Sequence, residues 1–392
     1  MVKDVRVSYS LNADQLAIQD LIRRVARDKV AARADAIDRA AEYPQDMFEL
    51  LKDLGLFALP FPEKYGGTGS LLSGCLAVEE FGRVCYNTGY LLVVQWVAFG
   101  ALLAAGSEEQ HQRFLPGLAS GELRGAFSTT EAQSGSDVSA IKTRAEPVAG
   151  GYRLRGAKIW CTNSDIADFV LVGAKCAGAG GKDSVNLFIV EKGTPGFSVG
   201  RKEEKMGARG VPSCPLFFDD AFVPETNRMG PEGGQGFKLV MEAFNSSRPI
   251  VAARAVGLAQ GAIDHAAAFI QNRHAFGRAI ADFQGIRWMI ADMVMQTEAA
   301  RQLTYKAASM VDAGVTGQEL ASFSAMSKCY AADVAMKVAT DAVQLFGAAG
   351  ISNEYPINRY FRDAKVVQII EGTNQIQRNI IANGVLGRES RR

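Results

Sequence analysis

The C-terminal part of the chain carries an acidic residue in a setting that suits proton-transfer chemistry. Glu371 follows the mostly apolar run 366–370 and precedes Gly372, Thr373 and Asn374. We expect it to lie where an apolar element ends, and burial there raises a carboxyl pKa because it disfavours the charged form. Such a carboxylate is a suitable general base for a weak carbon acid, and Gly372 lets another backbone approach closely. The alternative interpretation is a helix start with Thr373 near the cap.

Two further clusters contain groups that bind anions. Segment 127–137 reads FSTTEAQSGSD, and its hydroxyl groups and backbone N–H groups can bind a phosphate or the polar edge of a ring. Segment 273–278 contains Arg273 and Arg278, which can hold phosphates, and is followed by DFQ at 282–284. Taken alone, the first cluster also fits a capped turn, and the second also fits a solvated helix end.

Two weaker signals lie within helical patterns. Arg248 stands beside Pro249 in segment 244–249, FNSSRP, which indicates a kink or a helix start and leaves room for an anion contact. Segment 344–350, QLFGAAG, is either a nucleotide contact or a glycine stop at a helix C-terminus. It is not a dinucleotide fingerprint, because no G-x-G-x-x-G follows a strand.

The composition argues against several classes of function. The chain has 43 Lys+Arg and 42 Asp+Glu, a net charge of +1, which argues against nucleic acid as the main partner. Six scattered cysteines without a CxxC pair and three histidines argue against a metal site or a disulfide framework, and fit reduced thiols in the cytoplasm. We read no signal sequence at the N-terminus. The longest apolar run, 89–106, contains Gln95 and predicts a core helix rather than a membrane span.

Three segments with different periodicity must position these residues. Helical spacing extends from about residue 12 to 120 and returns after 233 in long stretches typical of a bundle. Between them, short β-prone runs and glycine-rich turns such as Gly178–Gly181 predict a small antiparallel sheet. The predicted domains are an N-terminal helical domain, 1–121, a middle β-barrel-like domain, 122–233, and a C-terminal helical bundle, 234–392.

Together and in this order, the five clusters resemble the acyl-CoA dehydrogenase family, and most closely its medium- and short-chain branch. The resemblance runs from about residue 10 to 388. It implies an α+β fold whose C-terminal domain is a four-helix bundle, with FAD between the β domain and that bundle. The FAD contacts that it implies are Phe127, Thr129, Thr130, Ser136, Trp160, Thr162, Arg273, Phe276, Gln284, Gln344, Gly347, Thr373 and Gln375; the substrate contacts are Ser136, Phe244, Asn245, Arg248 and Gly372.

The family's reaction is α,β-dehydrogenation of an acyl-CoA to the trans-2-enoyl-CoA. The resemblance implies that Glu371 removes the α-proton while a hydride passes from the β-carbon to flavin N5. Donors aimed at the thioester oxygen stabilise the developing charge, and in the family these are the backbone N–H of the base and a flavin hydroxyl. The family is usually homotetrameric, with some FAD contacts made across subunits, and passes electrons to an electron-transferring flavoprotein in fatty acid β-oxidation.

The sequence departs from the family pattern in places and leaves alternatives open. Ile370 replaces a common tyrosine, Ala132 a proline and Ala348 a glycine. An acyl-CoA oxidase or an enoyl-CoA reductase of the same fold would use the same clusters, and a catalytically silent assembly protein is the rival from another class. Trp96 and Phe99 either shorten the acyl pocket or pack in the core.

Overall fold

The computed structural model describes residues 10–177, 183–231 and 235–387, and these form two sets of helices flanking one sheet. The predicted α+β, three-part architecture is confirmed. The Gly178–Gly181 turn lies outside the described residues, and so does the boundary predicted between residues 233 and 234.

Three of the six α-helices described in the N-terminal part begin with a side-chain cap, and the apolar residues of this part are divided between two core clusters. Asn12 forms a capping box with Gln15, and Ser107 forms another with Gln110. The helix predicted from residue 13 is α-helical only to Val25, after which a π turn spans Ala26–Val30. The helices are α1, Ala13–Val25; α2, Ala34–Ala40; α3, Gln45–Asp53; α4, Leu71–Val84; α5, Tyr86–Ala105; and α6, Glu108–Ser120.

Helix α5 explains the longest apolar run of the sequence. Most of its side chains are buried, so it is the core helix that the sequence predicts. In length and composition, α5 and the segment Gly317–Ile351 would each suffice to cross a membrane, but core helices pass the same test.

One eight-stranded sheet forms the middle part. Its strands follow the order β6-β7-β3-β2-β4-β5-β8, with β1 paired to β4. Most pairs are antiparallel as predicted, but β1 and β2 each run parallel to β4. The strands are β1, Gly125–Ser128; β2, Arg144–Val148; β3, Gly151–Thr162; β4, Phe169–Ala177; β5, Asp183–Glu191; β6, Phe197–Val199; β7, Ser213–Pro224; and β8, Arg228–Met229.

The C-terminal part contains the three long helices that the sequence predicts. Pro249 lies inside α7, so it does not start a helix. Glycines let α7 lie directly on α4: a β-carbon on Gly257 would lie 2.1 Å from the Glu79 carbonyl oxygen. The elements are α7, Gln235–Asn272; the hairpin β9, His274–Ala275, and β10, Arg278–Ala279; α8, Gln284–Asp312; α9, Gly317–Phe346; α10, Ile357–Ile369; and α11, Asn374–Leu386.

All six cysteines are buried thiols, and none is in a disulfide. They are distributed over the three parts of the chain: Cys75 and Cys85 at α4, Cys161, Cys176 and Cys214 in the sheet, and Cys329 on α9. Across the described stretches, no three His, Cys, Asp or Glu side chains gather in a way that could hold a metal ion.

Candidate active site

Glu371 lies in the four-residue connection, residues 370–373, that joins α10 to α11. Helix α10 ends at Ile369, as the apolar run predicts, and the backbone then turns through positive φ angles of 54° at Glu371 and 88° at Gly372. Thr373 accepts a hydrogen bond from the Ile376 N–H and caps α11. The alternative interpretation of this motif is therefore correct for Thr373, while the carboxylate itself is held on a strained turn outside the helix.

Three cations surround the Glu371 carboxylate. An Arg254 guanidinium nitrogen lies 3.7 Å from a Glu371 carboxylate oxygen. Burial raises the pKa of Glu371, and the charges of Arg254, Lys328 and Arg248 act in the opposite direction. The Glu371 side chain is still 24% exposed. The site thus presents a desolvated carboxylate that a ligand can reach, in positive surroundings.

Arg254 is the most unusual of these cations. Its side chain is fully buried, and none of its three guanidinium nitrogens has a hydrogen-bond partner among the described residues. Its guanidinium carbon lies 4.5 Å from the Tyr86 ring centre and 3.9 Å from that of Tyr90, so aromatic faces supply part of its stabilisation. Burial and the Glu371 charge raise the pKa of Tyr90 to about 12, which keeps its phenol protonated.

The loop after β1 is fixed by a buried ion pair. The Lys158 ammonium donates to Glu131 at 2.7 Å and to the Thr129 carbonyl at 3.2 Å, and the Ile159 N–H donates to the Thr130 carbonyl. Burial opposes ionisation of Glu131, but the bonds from Lys158 and Thr143 lower the pKa of Glu131 to about 2. Farther along, Asp137 caps a short helical turn, as the capped-turn interpretation expects.

Beside this loop lies a surface suited to a planar ring with a polar edge. Trp160 stands on β3 with a positive φ of 59°, and its side chain is 52% exposed although it is a large apolar group. The buried Ser128 hydroxyl has no hydrogen-bond partner among the described residues. Thr129, Thr130 and Thr162 are half-buried next to them in sequence. An exposed indole face and the unpartnered Ser128 hydroxyl fit the FAD that the sequence predicts here.

The predicted substrate residues of α7 lie between this loop and Glu371. The Phe244 ring meets the Phe127 ring edge to face, with centres 4.9 Å apart. Arg248 donates to the Asn245 side chain, and burial lowers the pKa of Arg248 to about 10 despite the Glu371 charge. Ser136 is exposed at the far end of the loop. The structure therefore brings together three of the predicted clusters, namely Glu371, segment 127–137 and segment 244–249.

The remaining predicted FAD contacts lie elsewhere. Arg273, Phe276, Gln284, Gln344 and Gly347 are exposed on the β9–β10 hairpin and the adjoining ends of α8 and α9, and Gln375 is exposed on α11. Phe276 is 95% exposed, with a positive φ of 52°. In the described part of the chain, no hydrogen bond or ion pair joins the hairpin cluster to Glu371. The solvated helix end and the glycine stop at Gly347 are both observed.

Trp96 and Phe99 pack in the core. The Trp96 indole N–H donates to the Phe57 carbonyl, and its ring packs against Gly74. The Phe99 ring stacks on Phe61 with centres 3.8 Å apart. Tyr86 and Tyr90, rather than Trp96, are the α5 side chains that contact Arg254 beside Glu371.

Sequence reasoning missed Arg254, Lys328 and the Glu131–Lys158 pair. The available signal for Arg254 was a single charged residue inside the apolar stretch 250–263, and for Lys328 a lysine within the alanine-rich α9. A charge in such a position is buried, and a buried charge needs a partner.

Known proteins resemble the chain over nearly its whole length. Residues 12–122, 126–221 and 234–386 match the N-terminal, middle and C-terminal domains described as "Acyl-CoA dehydrogenase". The chain is 42% identical to "Acyl-CoA dehydrogenase" of Bacillus subtilis (strain 168), over 95% of this chain and 98% of that protein.

Solved structures show the same likeness. Butyryl-CoA dehydrogenase from Megasphaera elsdenii superimposes with a TM-score of 0.92 and 37% identity, covering 97% of this chain and 100% of that one. A chain from the structure reported as the electron transferring flavoprotein of Acidaminococcus fermentans superimposes with a TM-score of 0.91 and 39% identity, covering 97% and 100%.

Proposed function

The chain belongs to the acyl-CoA dehydrogenase family of FAD-dependent oxidoreductases, and we propose that Glu371 is the base that removes the α-proton of its acyl-CoA substrate. The observation that carries this proposal is the Glu371 turn. A reachable carboxylate lies on a strained backbone, desolvated, and 3.7 Å from a buried arginine that has no other acidic partner within 4 Å among the described residues. Strained, buried ionisable groups of this kind concentrate at functional sites.

Desolvation and the neighbouring cations give Glu371 the properties of a base. Burial makes the carboxylate a stronger base, and the cations keep a useful fraction of it ionised before substrate arrives. A bound thioester that expels the remaining water strengthens the first effect. Proton transfer is most efficient when the pKa of the base approaches that of the carbon acid.

The backbone of the same turn offers a donor for the thioester oxygen. The Glu371 N–H donates to no acceptor that the structure describes, since the last bond of α10 is made by the Ile370 N–H. A fixed N–H group beside the base can stabilise the negative charge that grows on the thioester oxygen as the α-proton leaves.

FAD would supply the acceptor for the hydride that leaves the β-carbon. Trp160 would hold its ring, together with Ser128, Thr129, Thr130 and Thr162. Support comes from the Glu131–Lys158 pair, which fixes the backbone of this loop. On the other side, Phe244, Asn245 and Arg248 would contact the CoA chain, with Ser136 at its phosphates.

The hairpin residues suit a site shared between subunits. Arg273, Phe276 and Gln284 are exposed and far from the described Glu371 contacts, so we propose that they meet the FAD of a second copy in a homotetramer. An electron-transferring flavoprotein is the proposed acceptor, supported by the likeness to a chain from such a structure. We further propose a cytoplasmic enzyme of β-oxidation, in keeping with its reduced thiols.

The test is anaerobic reduction of the bound flavin by a panel of saturated acyl-CoAs, beginning with butyryl-CoA. We expect one class of thioester to bleach the visible flavin absorption. Glu371→Gln should lower the rate by at least about a thousandfold, since it removes the proton acceptor. Glu354→Gln, which changes an exposed glutamate just before α10, is the matched control and should leave the rate unchanged.

Other results would indicate a different function or a different base. A flavin that saturated acyl-CoAs leave oxidised, but whose reduced form is reoxidised by an enoyl-CoA, indicates an enoyl-CoA reductase. Rapid reoxidation by oxygen with an acyl-CoA present indicates an oxidase. Equal bleaching of wild type and Glu371→Gln would show that Glu371 is not the base.

A further inference from the structure

We infer that Lys328, a buried lysine on α9, is a positioning residue that sets both the place and the charge state of Glu371. The inference rests on the proposed role of Glu371 as the base. Lys328 touches neither the predicted cofactor residues nor the predicted acyl-CoA residues of α7 in the described contacts; its bonds go to the turn that carries the base.

The Lys328 ammonium binds the turn and the first residue of α11. It donates to the Gly372 carbonyl at 2.8 Å and to the Asn374 side-chain oxygen at 3.0 Å, and its side chain is fully buried. The Gly372 carbonyl accepts a second bond from the Gln377 amide at 3.0 Å. Because Glu371 and Gly372 both have positive φ, the turn needs such bonds to keep its conformation.

A second layer of bonds fixes Lys328's partner. The Asn374 amide donates to Asp333 at 2.8 Å and to the Cys329 carbonyl at 3.1 Å. Asp333 also accepts from Gln368 on α10 and from Arg378 on α11. Three helices are thereby tied together around the turn, so a displacement of Lys328 is transmitted to the base.

No carboxylate in the described part of the chain pairs with the Lys328 ammonium, so its charge can act on Glu371. Both hydrogen-bond acceptors of Lys328 are neutral, and in the described part of the chain no carboxylate oxygen lies within 4 Å of its ammonium. Asp333 is already paired with Arg378. Burial lowers the pKa of Lys328 to about 8, and Arg248 acts in the same direction. Among the charges that favour the protonated lysine, Glu371 is foremost, ahead of Cys329 and Asp333.

In this arrangement Lys328 stabilises the charged Glu371 carboxylate without a hydrogen bond to its oxygens. A direct salt bridge from Lys328 would hold the oxygen lone pair that must receive the substrate proton, and would lower the basicity of Glu371 further than the more distant charge does. Anchoring the ammonium on neutral acceptors supplies the field and leaves the oxygens to substrate. The other ionisable groups facing Glu371 are Arg248 and Arg254 on α7, and Tyr86 and Tyr90 on α5.

The test measures the pKa of Glu371 directly, in the FAD-bound protein without substrate. Infrared difference spectra against Glu371→Gln isolate its carboxyl band, which is then titrated with pH. Removing a nearby cation makes the carboxylate easier to protonate, so Lys328→Met should raise the Glu371 pKa by about one unit. Lys328→Arg keeps the charge and should leave it near the wild-type value. Lys328→Gln keeps a donor without charge, so it should fold if Met does not, and raise the pKa likewise.

Lys205→Met is the matched control. Lys205 is a partly buried lysine in the middle part of the chain. Like Lys328, it donates to a carbonyl, that of Val211, and to a neutral side chain, Ser213. It should leave the Glu371 pKa unchanged. The acid limb of flavin reduction should move to higher pH with Lys328→Met and stay in place with Lys205→Met.

The outcomes separate the two proposals. An unchanged Glu371 pKa in both Lys328→Met and Lys328→Gln overturns the inference, and so does an equal rise in Lys205→Met. A raised pKa in a protein whose flavin no acyl-CoA reduces would support the link between Lys328 and Glu371 while rejecting the proposed function.

Discussion

Positive backbone φ angles occur at three of the predicted site residues. Seven non-glycine residues in the described ranges have positive φ, and three of them, Glu371, Trp160 and Phe276, were predicted as site residues from the sequence. A left-handed conformation costs about 1 kcal/mol at a residue with a β-carbon. Strain at these three residues fits a backbone shaped by what the side chains must reach.

Gly372→Ala tests whether the turn places the base. A β-carbon at residue 372 would lie 2.7 Å from the Gln377 amide nitrogen, at a φ of 88°. We expect a loss of about 1 kcal/mol in stability, and a fall of about tenfold or more in flavin reduction because the base is displaced.

Gly387→Ala is the control for this change. Gly387, at the other end of α11, has a φ of 79° and nothing within 4 Å of the added carbon. It should lose similar stability and keep its rate. Equal rates in Gly372→Ala and wild type would show that the turn tolerates displacement.

Sequence reasoning could single out Glu371, the proposed base, but not the cations around it. Glu371 is recognisable because its glycine and hydroxyl neighbours are adjacent in the chain. Arg254 and Lys328 act on Glu371 from helices about 117 and 43 residues earlier, and local spacing carries no record of such contacts. Only the position of these two charged residues within apolar stretches indicated that they are buried and need a partner.

At the scale of elements, periodicity predicted most helices and strands, because each depends on local burial patterns. The direction in which neighbouring strands pair could not be predicted in the same way. The parallel β1–β4 pair joins Gly125 to Phe169, and nothing local in either strand specifies the direction of its neighbour. The π turn after α1 was likewise unpredicted, since its apolar spacing continues that of the helix.

Lys158→Met tests the ion pair that fixes the loop after β1. It leaves the Glu131 carboxylate buried without its cation, and we expect a loss of about 3–5 kcal/mol in unfolding free energy at pH 7. Denaturant unfolding at fixed FAD concentration measures it. Arg201→Met, which breaks an exposed ion pair with Glu204, should change stability by less than about 0.5 kcal/mol.

The pH dependence of this effect has a defined sign. The folded pKa of Glu131, about 2, is below its unfolded value, so its stabilisation is complete above the unfolded pKa and lost as pH falls through 2. The difference between wild type and Lys158→Met should therefore shrink in acid. A difference that stays constant from pH 7 to pH 3 would contradict this account.

Across the whole molecule, the sheet is joined to the helices by buried polar bonds. The Ala208 N–H donates to Asp363 on α10 at 2.7 Å, and the Gly210 N–H donates to Asn87 on α5 at 3.0 Å. Burial raises the pKa of Asp363 to about 6. The segment before β7 is thus held to the helix that ends at the Glu371 turn.

Asp363→Asn should stabilise the protein at alkaline pH. A folded pKa above the unfolded value means that the folded state binds more protons between about pH 4 and 6, so wild-type stability falls as pH rises through that window. Asparagine still accepts from the Ala208 N–H and carries no charge. We expect a gain of up to about 2 kcal/mol at pH 8, vanishing below pH 4, with exposed Asp219→Asn as the control. A loss at pH 8 would show that the charge is needed by Arg359 and Arg362.

The buried thiols allow local opening to be followed separately in each part of the molecule. Burial raises the pKa of Cys75 and Cys85 among the first helices, of Cys161 and Cys214 in the sheet and of Cys329 beside the Glu371 turn. Thiols that are covered and protonated react with alkylating reagents only after their surroundings open. The order in which these five thiols become alkylated therefore records which part opens first, without any introduced cysteine, and alkylation of Cys329 reports the opening beside Glu371.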